Sequence, residues 1–222
     1  CIDSGITPIL CTTKNKSDDI LIKIAKKFKI KYFRGSEKNK ILRWYNCAKN
    51  YKLKYFHTVD ADDLYFDPVS IKKSIELAIN KRADLIHPSK ISRFGGASEG
   101  YTFSIGGIEK LKISLKNYSY KNINSFDTEM IDTFVEGINL KEYTLKGQPY
   151  EYKDKIRFTL DYKDDFKMFK ILFKRFGIYE KRKIINDYLR KNKKILKMNY
   201  FRNMLWLKKQ KKFIKPKKKL NL

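Results

Sequence analysis

Short apolar strands alternate with amphipathic helices over the first sixty residues, and this order constrains the fold more than any other feature. Residues 8–13, 31–34 and 55–59 are predicted strands, and the segments between them carry apolar residues at helical spacing. A β-α-β-α-β order needs crossover helices, which favours a mostly parallel sheet with helices on both faces. We therefore predict an α/β fold whose ligands bind beyond the carboxyl ends of the strands.

The first helix is predicted to begin near Ser17, a capping residue, with Asp18 and Asp19 in the first turn, where the helix dipole favours acids. Apolar residues at helical spacing predict its inward face: Ile20, Leu21, Ile24, Ala25 and Phe28. Further predicted strands are residues 84–87, 102–105, 139–145 and 156–160, and further helices are residues 68–79, 108–115, 128–136 and 163–176. Residues 94–100 are predicted to form a glycine-rich loop.

Three carboxylates follow the strand at residues 55–59, namely Asp60, Asp62 and Asp63. Such a cluster repels itself unless a cation neutralises it, which indicates a site for an oxygen-preferring metal such as Mg²⁺. A solvated turn is the alternative. Asp67, directly before Pro68, is better interpreted as the cap of the next helix.

Asp161 follows the predicted strand at residues 156–160 in a similar way. Because a parallel sheet brings strand ends to one edge, Asp62 and Asp161 are predicted to face one ion. Phosphoryl transfer needs such an ion to neutralise charge on the phosphates. Taken alone, Asp161 is equally well interpreted as a helix cap.

A third strand end carries the segment Arg34-Gly35-Ser36-Glu37. Gly35 permits close approach of the backbone, and Arg34 can contact a phosphate or a carboxylate. Arg43, further along the following helix, is either a second anion contact or a solvated helix residue.

Together these segments resemble the cytidylyltransferase family of surface and spore-coat polysaccharide biosynthesis, which is related to the CMP-sugar-acid synthetases. The resemblance covers about residues 8–176. Its motifs, in chain order, are CTT at 11–13 with DD at 18–19, FRGSE at 33–37 with ILRWY at 41–45, Asp62 before DP at 67–68, FS at 103–104 with IEK at 108–110, and RFTLD at 157–161 with DDF at 164–166.

The resemblance implies a Rossmann-like nucleotide-diphospho-sugar transferase fold and Mg²⁺-dependent transfer of CMP from CTP to a sugar or sugar acid, with release of pyrophosphate. It implies that Asp62 and Asp161 are the catalytic residues and the Mg²⁺ ligands. It also places the segment from Arg34 to Glu37 beside the substrate. The remaining candidates for substrate binding are Arg43, Asp60, Asp63 and Arg157.

The sequence departs from the family pattern in several places. Family members begin with a strand and a glycine- and arginine-containing loop that grips the nucleotide, and no such loop stands before Cys1. We therefore expect these residues to carry the metal and acceptor side of the site, which leaves open whether they are active alone. The usual acidic segment before residues 103–104 is reduced to Glu99, and Asp127 and Glu129 are candidates to compensate, with a helix cap as the alternative.

Positive charge is concentrated at the end of the chain. The net charge is +27, and residues 167–222 contain 21 lysines and arginines against Glu180 and Asp187. We predict a nucleotidyltransferase domain at residues 1–177 and a basic helical extension at 178–222. Residues 181–207 are expected to form helices that pack partly on the domain and present a basic face to an anionic membrane surface. The alternatives are a lysine-rich solubilising extension, or a helix that completes the core or a homodimer.

Two other function classes fit parts of the sequence. A metal-dependent glycosyltransferase using a sugar nucleotide would share the architecture and a carboxylate loop. A non-catalytic nucleic-acid or membrane-binding protein could act through residues 167–222, but these contain no recognised nucleic-acid motif, so nucleic acid is disfavoured. With neither a signal segment nor an apolar run of about 20 residues, the protein is expected to be cytoplasmic, with peripheral contact to the inner membrane surface.

Overall fold

The computed structural model describes residues 5–89, 100–118, 121–147 and 156–211. The strands in these ranges are β1 (Ile9–Thr13), β2 (Lys31–Gly35), β3 (Tyr55–His57), β4 (Leu85–His87), β5 (Thr102–Ser104) and β6 (Glu142–Thr144). The α-helices there are α1 (Asp19–Lys27), α2 (Lys40–Asn50), α3 (Pro68–Lys81), α4 (Ile105–Ser114), α5 (Ile131–Val135), α6 (Lys163–Phe176), α7 (Arg182–Lys191), α8 (Lys193–Tyr200) and α9 (Arg202–Lys211). Residues 94–99 of the predicted glycine-rich loop lie outside the described residues.

The strands form two sheets. β1 and β2 pair in parallel, and a second sheet has the order β3-β5-β4-β6. β5 is antiparallel to both β3 and β4, whereas β4 and β6 are parallel. Strands β3, β4 and β6 therefore share one direction, and β5 runs against them. The predicted α/β class is confirmed, with mixed pairing in place of a mostly parallel sheet.

Local signals begin and end the helices that flank the acidic segments. The Asp67 carboxylate accepts hydrogen bonds from the amides of Val69 (3.2 Å) and Ser70 (3.3 Å), and Pro68 occupies the first turn of α3. Asp165 accepts from the amide of Tyr162 at 2.8 Å at the start of α6. Gly177, at φ +69°, ends α6 as predicted because glycine adopts this backbone conformation without strain.

Two apolar clusters of buried side chains hold the elements together. The first joins α2, α4, α5 and the strands β4 and β5 through residues such as Ile41, Leu85 and Phe103. The second joins α6 to α7 and α8 through Phe169, Ile185 and others, so these helices share one core across the predicted boundary at residue 177. The expectation that residues 181–207 form helices packing partly on the domain is confirmed.

Two sequence predictions fail locally. In α1, Ile22 and Ala25 are buried, whereas the predicted inward residues Ile20 (57% exposed) and Phe28 (61% exposed) face outward. Leu21 and Ile24 of the same predicted face are also exposed. Residues 156–160 do not form a strand, and the only pairing that the structure gives them among the described residues is an isolated antiparallel bridge between Asp63 and Thr159. No helix in the described part of the chain is long and apolar enough to span a membrane.

Candidate active site

The acidic loop after β3 lies against the segment that precedes α6. The amide of Leu64 donates to the carbonyl of Phe158 at 3.1 Å, and the amide of Leu160 donates to the carbonyl of Asp62 at 2.9 Å. This short antiparallel pairing brings the loop that contains Asp62 beside the segment that contains Asp161. The two predicted metal ligands therefore lie on neighbouring segments.

The carboxylate of Asp62 is in an unfavourable electrostatic environment. Its pKa is raised first by desolvation, and the nearby carboxylates of Asp60 and Asp161 raise it further, whereas Asp62's own backbone hydrogen bond and Lys40 act in the opposite direction. The Asp161 carboxylate therefore lies near enough to Asp62 to disfavour the charged form of Asp62. A cation placed among these carboxylates would relieve the repulsion.

Asp161 is held by two neighbours and keeps some exposure. Its Oδ2 accepts from Nη2 of Arg157, in a short contact, and from the Thr159 hydroxyl at 2.8 Å. The Asp161 side chain is 33% exposed, whereas that of Arg157 is 1% exposed. Arg157 therefore fixes the orientation of the Asp161 carboxylate from the protein side and leaves the other side open to solvent.

Arg157 is engaged by side chains on three sides. Its Nε donates to Asp165 Oδ1 at 2.9 Å, and its Nη1 donates to Asn203 Oδ1 in α9 at 3.0 Å. Asp165 is fully buried and also accepts from Asn199 in α8 at 2.9 Å. For Arg157 this geometry favours a positioning role over the substrate contact predicted from the sequence. Asn199 and Asn203 had no recognisable motif in the sequence.

Lys40 is a second group that the sequence did not single out. Its ammonium lies 2.8 Å from Glu129 Oε1 and 3.6 Å from Asp60 Oδ1, and its side chain is 17% exposed. Burial works to lower the Lys40 pKa, but Asp60 and Glu129 outweigh it and the pKa is raised. Glu129 is thus tied to the acidic loop, whereas Asp127 accepts from the amide of Glu129 at 2.9 Å, as a turn-capping residue does.

A cavity of about 640 Å³ is lined in part by β1 and β3. Its lining includes residues of both strands, the aromatic side chains of Trp44 and Phe56, and the acidic-loop residue Asp60. Lys40 and Arg43 are cations in this lining. A volume of this size, aromatic walls and a few polar groups are typical of a pocket that binds a small molecule.

Arg43 is buried in the wall of this cavity and is incompletely bonded. Its Nη1 donates to the carbonyls of Ser36 (2.6 Å) and Glu37 (3.0 Å), whereas its Nε has no partner among the described residues. Gly35 makes this packing possible, because a Cβ there would lie 2.8 Å from Arg43 Cγ. The glycine thus makes room for the Arg43 side chain, which is a different role from the approach to a ligand that the sequence suggested.

The other residues of this segment contact protein. Arg34 donates to the carbonyls of Thr13 and Asn15 and to Asp19 Oδ1, each at 2.7 Å. The Ser36 hydroxyl donates to the carbonyl of Asn124 at 2.5 Å. Their predicted contacts with substrate, and those of Glu37 and of the buried Asp63, stay predictions.

The donor set fits Mg²⁺ bound together with a substrate. Within residues 5–89, 100–118, 121–147 and 156–211, no group of three or more His, Cys, Asp or Glu is arranged to hold a metal ion. Mg²⁺ is commonly held by one or two carboxylates, with substrate phosphates and water completing its octahedron. Asp62 and Asp161 would supply two such carboxylates, and a cation between them would relieve their repulsion.

Comparisons with known proteins agree with this fold. No known family profile matches the sequence. A protein of Methanocaldococcus jannaschii whose function is uncharacterized is 28% identical over 194 residues, which are 86% of this chain and 76% of that protein. A solved cytidylyltransferase from Leptospira borgpetersenii superposes with a TM-score of 0.70 at 20% identity, over 85% of this chain and 77% of that one. This chain therefore has the fold of a cytidylyltransferase.

Proposed function

We propose that this protein is a nucleotidyltransferase that moves CMP from CTP onto a sugar or sugar acid for surface polysaccharide biosynthesis, with Mg²⁺ as cofactor. The observation that carries the proposal is the proximity of the Asp62 and Asp161 carboxylates, which repel each other on paired segments of the chain. The likeness to a solved cytidylyltransferase supports the choice of nucleotide.

In this proposal Asp62 and Asp161 hold Mg²⁺, which would neutralise negative charge on the triphosphate. The sugar oxygen attacks the α-phosphorus in line with the leaving pyrophosphate, and no covalent intermediate with the protein forms. Arg157 keeps the Asp161 carboxylate pointed at the site, because its other donors are fixed by Asp165 and Asn203.

The cavity beside the acidic loop supplies positive charge and aromatic surface. Lys40 and Arg43 lie in its wall and would offset phosphate charge in a site that is partly shielded from water. Arg43 Nε, which has no hydrogen-bond partner among the described residues, is a donor that an anionic oxygen would satisfy. Both cations are already oriented by protein contacts, so little ordering is needed when the substrate binds.

A pyrophosphate-release assay on the purified protein tests the proposal. Each nucleoside triphosphate would be offered with a panel of neutral sugars and sugar acids, with Mg²⁺ and with chelator. We expect release with CTP and one class of sugar. Asp62→Asn and Asp161→Asn should each lower turnover by about 10²- to 10³-fold, because electrostatic stabilisation of the transition state is lost.

Asp187→Asn is the matched control, since it removes one carboxylate from the surface of α7 and should leave turnover unchanged. Two results would contradict the proposal: full turnover in both site variants, or no pyrophosphate with any nucleotide. Transfer of sugar from a sugar nucleotide, without pyrophosphate, would indicate a glycosyltransferase instead.

A further inference from the structure

The outward side of α6 combines lysines with large apolar side chains. We define the α6 face as Lys163, Phe166, Lys167, Lys170, Ile171 and Lys174, together with Ile178 and Tyr179 in the loop that follows. The helical members are spaced by three and four residues, so they lie on one side of the helix. Phe166 is 60% exposed, Ile178 63% and Tyr179 83%.

The opposite side of α6 fixes this orientation. Met168, Phe169 and Leu172 are fully buried in a cluster with residues of α7 and α8. Asp165 on the same side is held by Arg157 and Asn199. Rotating α6 to bury its apolar outer residues would therefore break this core, and the α6 face stays on the surface.

Little negative charge offsets the lysines of the α6 face. Asp164 is bonded to Arg202 at 2.6 Å and lies 3.3 Å from Lys167. Within the described residues, no carboxylate forms a salt bridge with Lys163, Lys170 or Lys174. The face thus carries an excess of positive charge along a helix of 14 residues, or about 21 Å.

We propose that the α6 face docks on an anionic lipid surface. Lysine side chains would reach the headgroup phosphates, while Phe166, Ile178 and Tyr179 enter the boundary between headgroups and acyl chains. Interfacial helices bind by this combination of electrostatic attraction and shallow apolar insertion. The surface lies on α6 and its loop, whereas the sequence had placed it within residues 181–207.

Charge repulsion disfavours a second copy of this chain as the partner of the α6 face. In a symmetric dimer each patch meets its own copy, so a second copy of this chain would set the lysines of one α6 face against those of the other. RNA is less well matched, because the face contains no arginine, whose planar guanidinium pairs with phosphate and stacks on bases. Arg202, at the start of α9, is occupied by Asp164.

Co-sedimentation of the full chain with vesicles tests the proposal. Phosphatidylcholine vesicles with and without phosphatidylglycerol would be compared at low and high salt. We expect binding only with phosphatidylglycerol, weakened by salt. The variant Lys167→Gln/Lys170→Gln/Lys174→Gln should lose about fivefold in partition coefficient for each lysine removed.

The matched control is Lys72→Gln/Lys73→Gln/Lys81→Gln on α3, which also has 14 residues and loses the same charge. This control variant should bind vesicles that contain phosphatidylglycerol almost as tightly as the unsubstituted chain does. Ile178→Ser/Tyr179→Ser alters only exposed loop side chains, so the fold is retained, and we expect it to lose the binding that survives high salt.

Three outcomes would overturn the proposal. The first is no preference for vesicles that contain phosphatidylglycerol. The second is an equal loss of binding in the α6 and α3 triple variants, which would show a general effect of net charge. The third is tighter binding to polyuridine RNA than to vesicles, lost in the α6 variant alone. Pyrophosphate release without vesicles should be unchanged in the α6 variant, so this test is independent of the proposed reaction.

Discussion

The two buried arginines of the candidate site differ in how their hydrogen-bonding capacity is used. Arg157, 1% exposed, donates to Asp161, Asp165 and Asn203. Arg43, 9% exposed, donates through Nη1 to two carbonyls, while its Nε has no partner among the described residues and its side chain lines the cavity. A buried guanidinium that is fully paired stabilises the fold, whereas one that keeps a donor beside a cavity has capacity left for a ligand.

The comparison predicts its largest effect at Asp165. Asp165→Ala should lower the free energy of unfolding by about 3–5 kcal/mol, because it removes the fully buried counter-ion of Arg157 and leaves only the partly exposed Asp161 to pair with its charge. Urea unfolding measures the change. Asp164→Ala, one residue away, removes a partly exposed partner of Arg202 and should lower the free energy of unfolding much less. Equal costs for the two variants would mean that the Arg157 network contributes little.

A smaller effect is expected at Gly35, beside Arg43. Gly35→Ala places a methyl group 2.8 Å from Arg43 Cγ and 3.0 Å from Phe33 Cε1, so one of them must move, at about 1–3 kcal/mol. The control Gly106→Ala in α4 meets no atom closer than 3.9 Å and should be neutral or slightly stabilising. Thermal unfolding of both variants measures the difference, and an unchanged Gly35→Ala would show that Arg43 is loosely held.

Replacing each arginine by glutamine separates their roles. Arg43→Gln should weaken CTP binding about tenfold, or about 1.4 kcal/mol, and should lower the melting temperature less than Arg157→Gln does, because Arg43 forms no salt bridge among the described residues. Arg157→Gln should mainly lower the melting temperature, since the buried Asp165 carboxylate loses its cationic partner. Equilibrium dialysis with CTP and differential scanning calorimetry give the two readouts. The reverse pattern would contradict the assignment of both residues.

The smallest effect concerns the half-buried carboxylate of Asp18, in the segment that directly precedes α1. Hydrogen bonds from the hydroxyls of Thr12 and Thr13 lower its pKa to about 2. Because the folded pKa lies below the unfolded value of about 3.9, its contribution to stability is present above pH 4 or so and is lost as the pH falls towards about 2. Asp18→Asn should therefore reduce the acid dependence of the melting temperature over that range. An unchanged dependence would show that these hydrogen bonds contribute nothing.

Elements with local signals were predictable from the sequence. The bounds of α6 follow from acids in its first turn and from Gly177, which needs no information from elsewhere in the chain. The sequence predicted that Asp62 and Asp161 lie close together, because the carboxyl ends of parallel strands meet at one edge of a sheet. The observed reason differs, because residues 156–160 form only an isolated bridge with the acidic loop.

Contacts between distant parts of the chain were not predictable. In α1 the apolar residues cover most of the helix surface, so periodicity alone could not show that Ile22 and Ala25 would be the buried pair. The partner of Arg157 in α9, Asn203, lies 46 residues away and belongs to no motif. Lys40 was missed for the same reason, since Glu129 lies 89 residues further along.

The contact between Arg157 and Asn203 has a consequence for synthesis on the ribosome. Chains emerge from the amino terminus and domains fold as their residues become available. The Arg157 guanidinium, which orients Asp161, cannot gain its full set of partners until Asn203 has been made, and its partner Asp165 also needs Asn199. The hydrogen-bond network that orients the Asp161 carboxylate is therefore completed only after α9 has been synthesised.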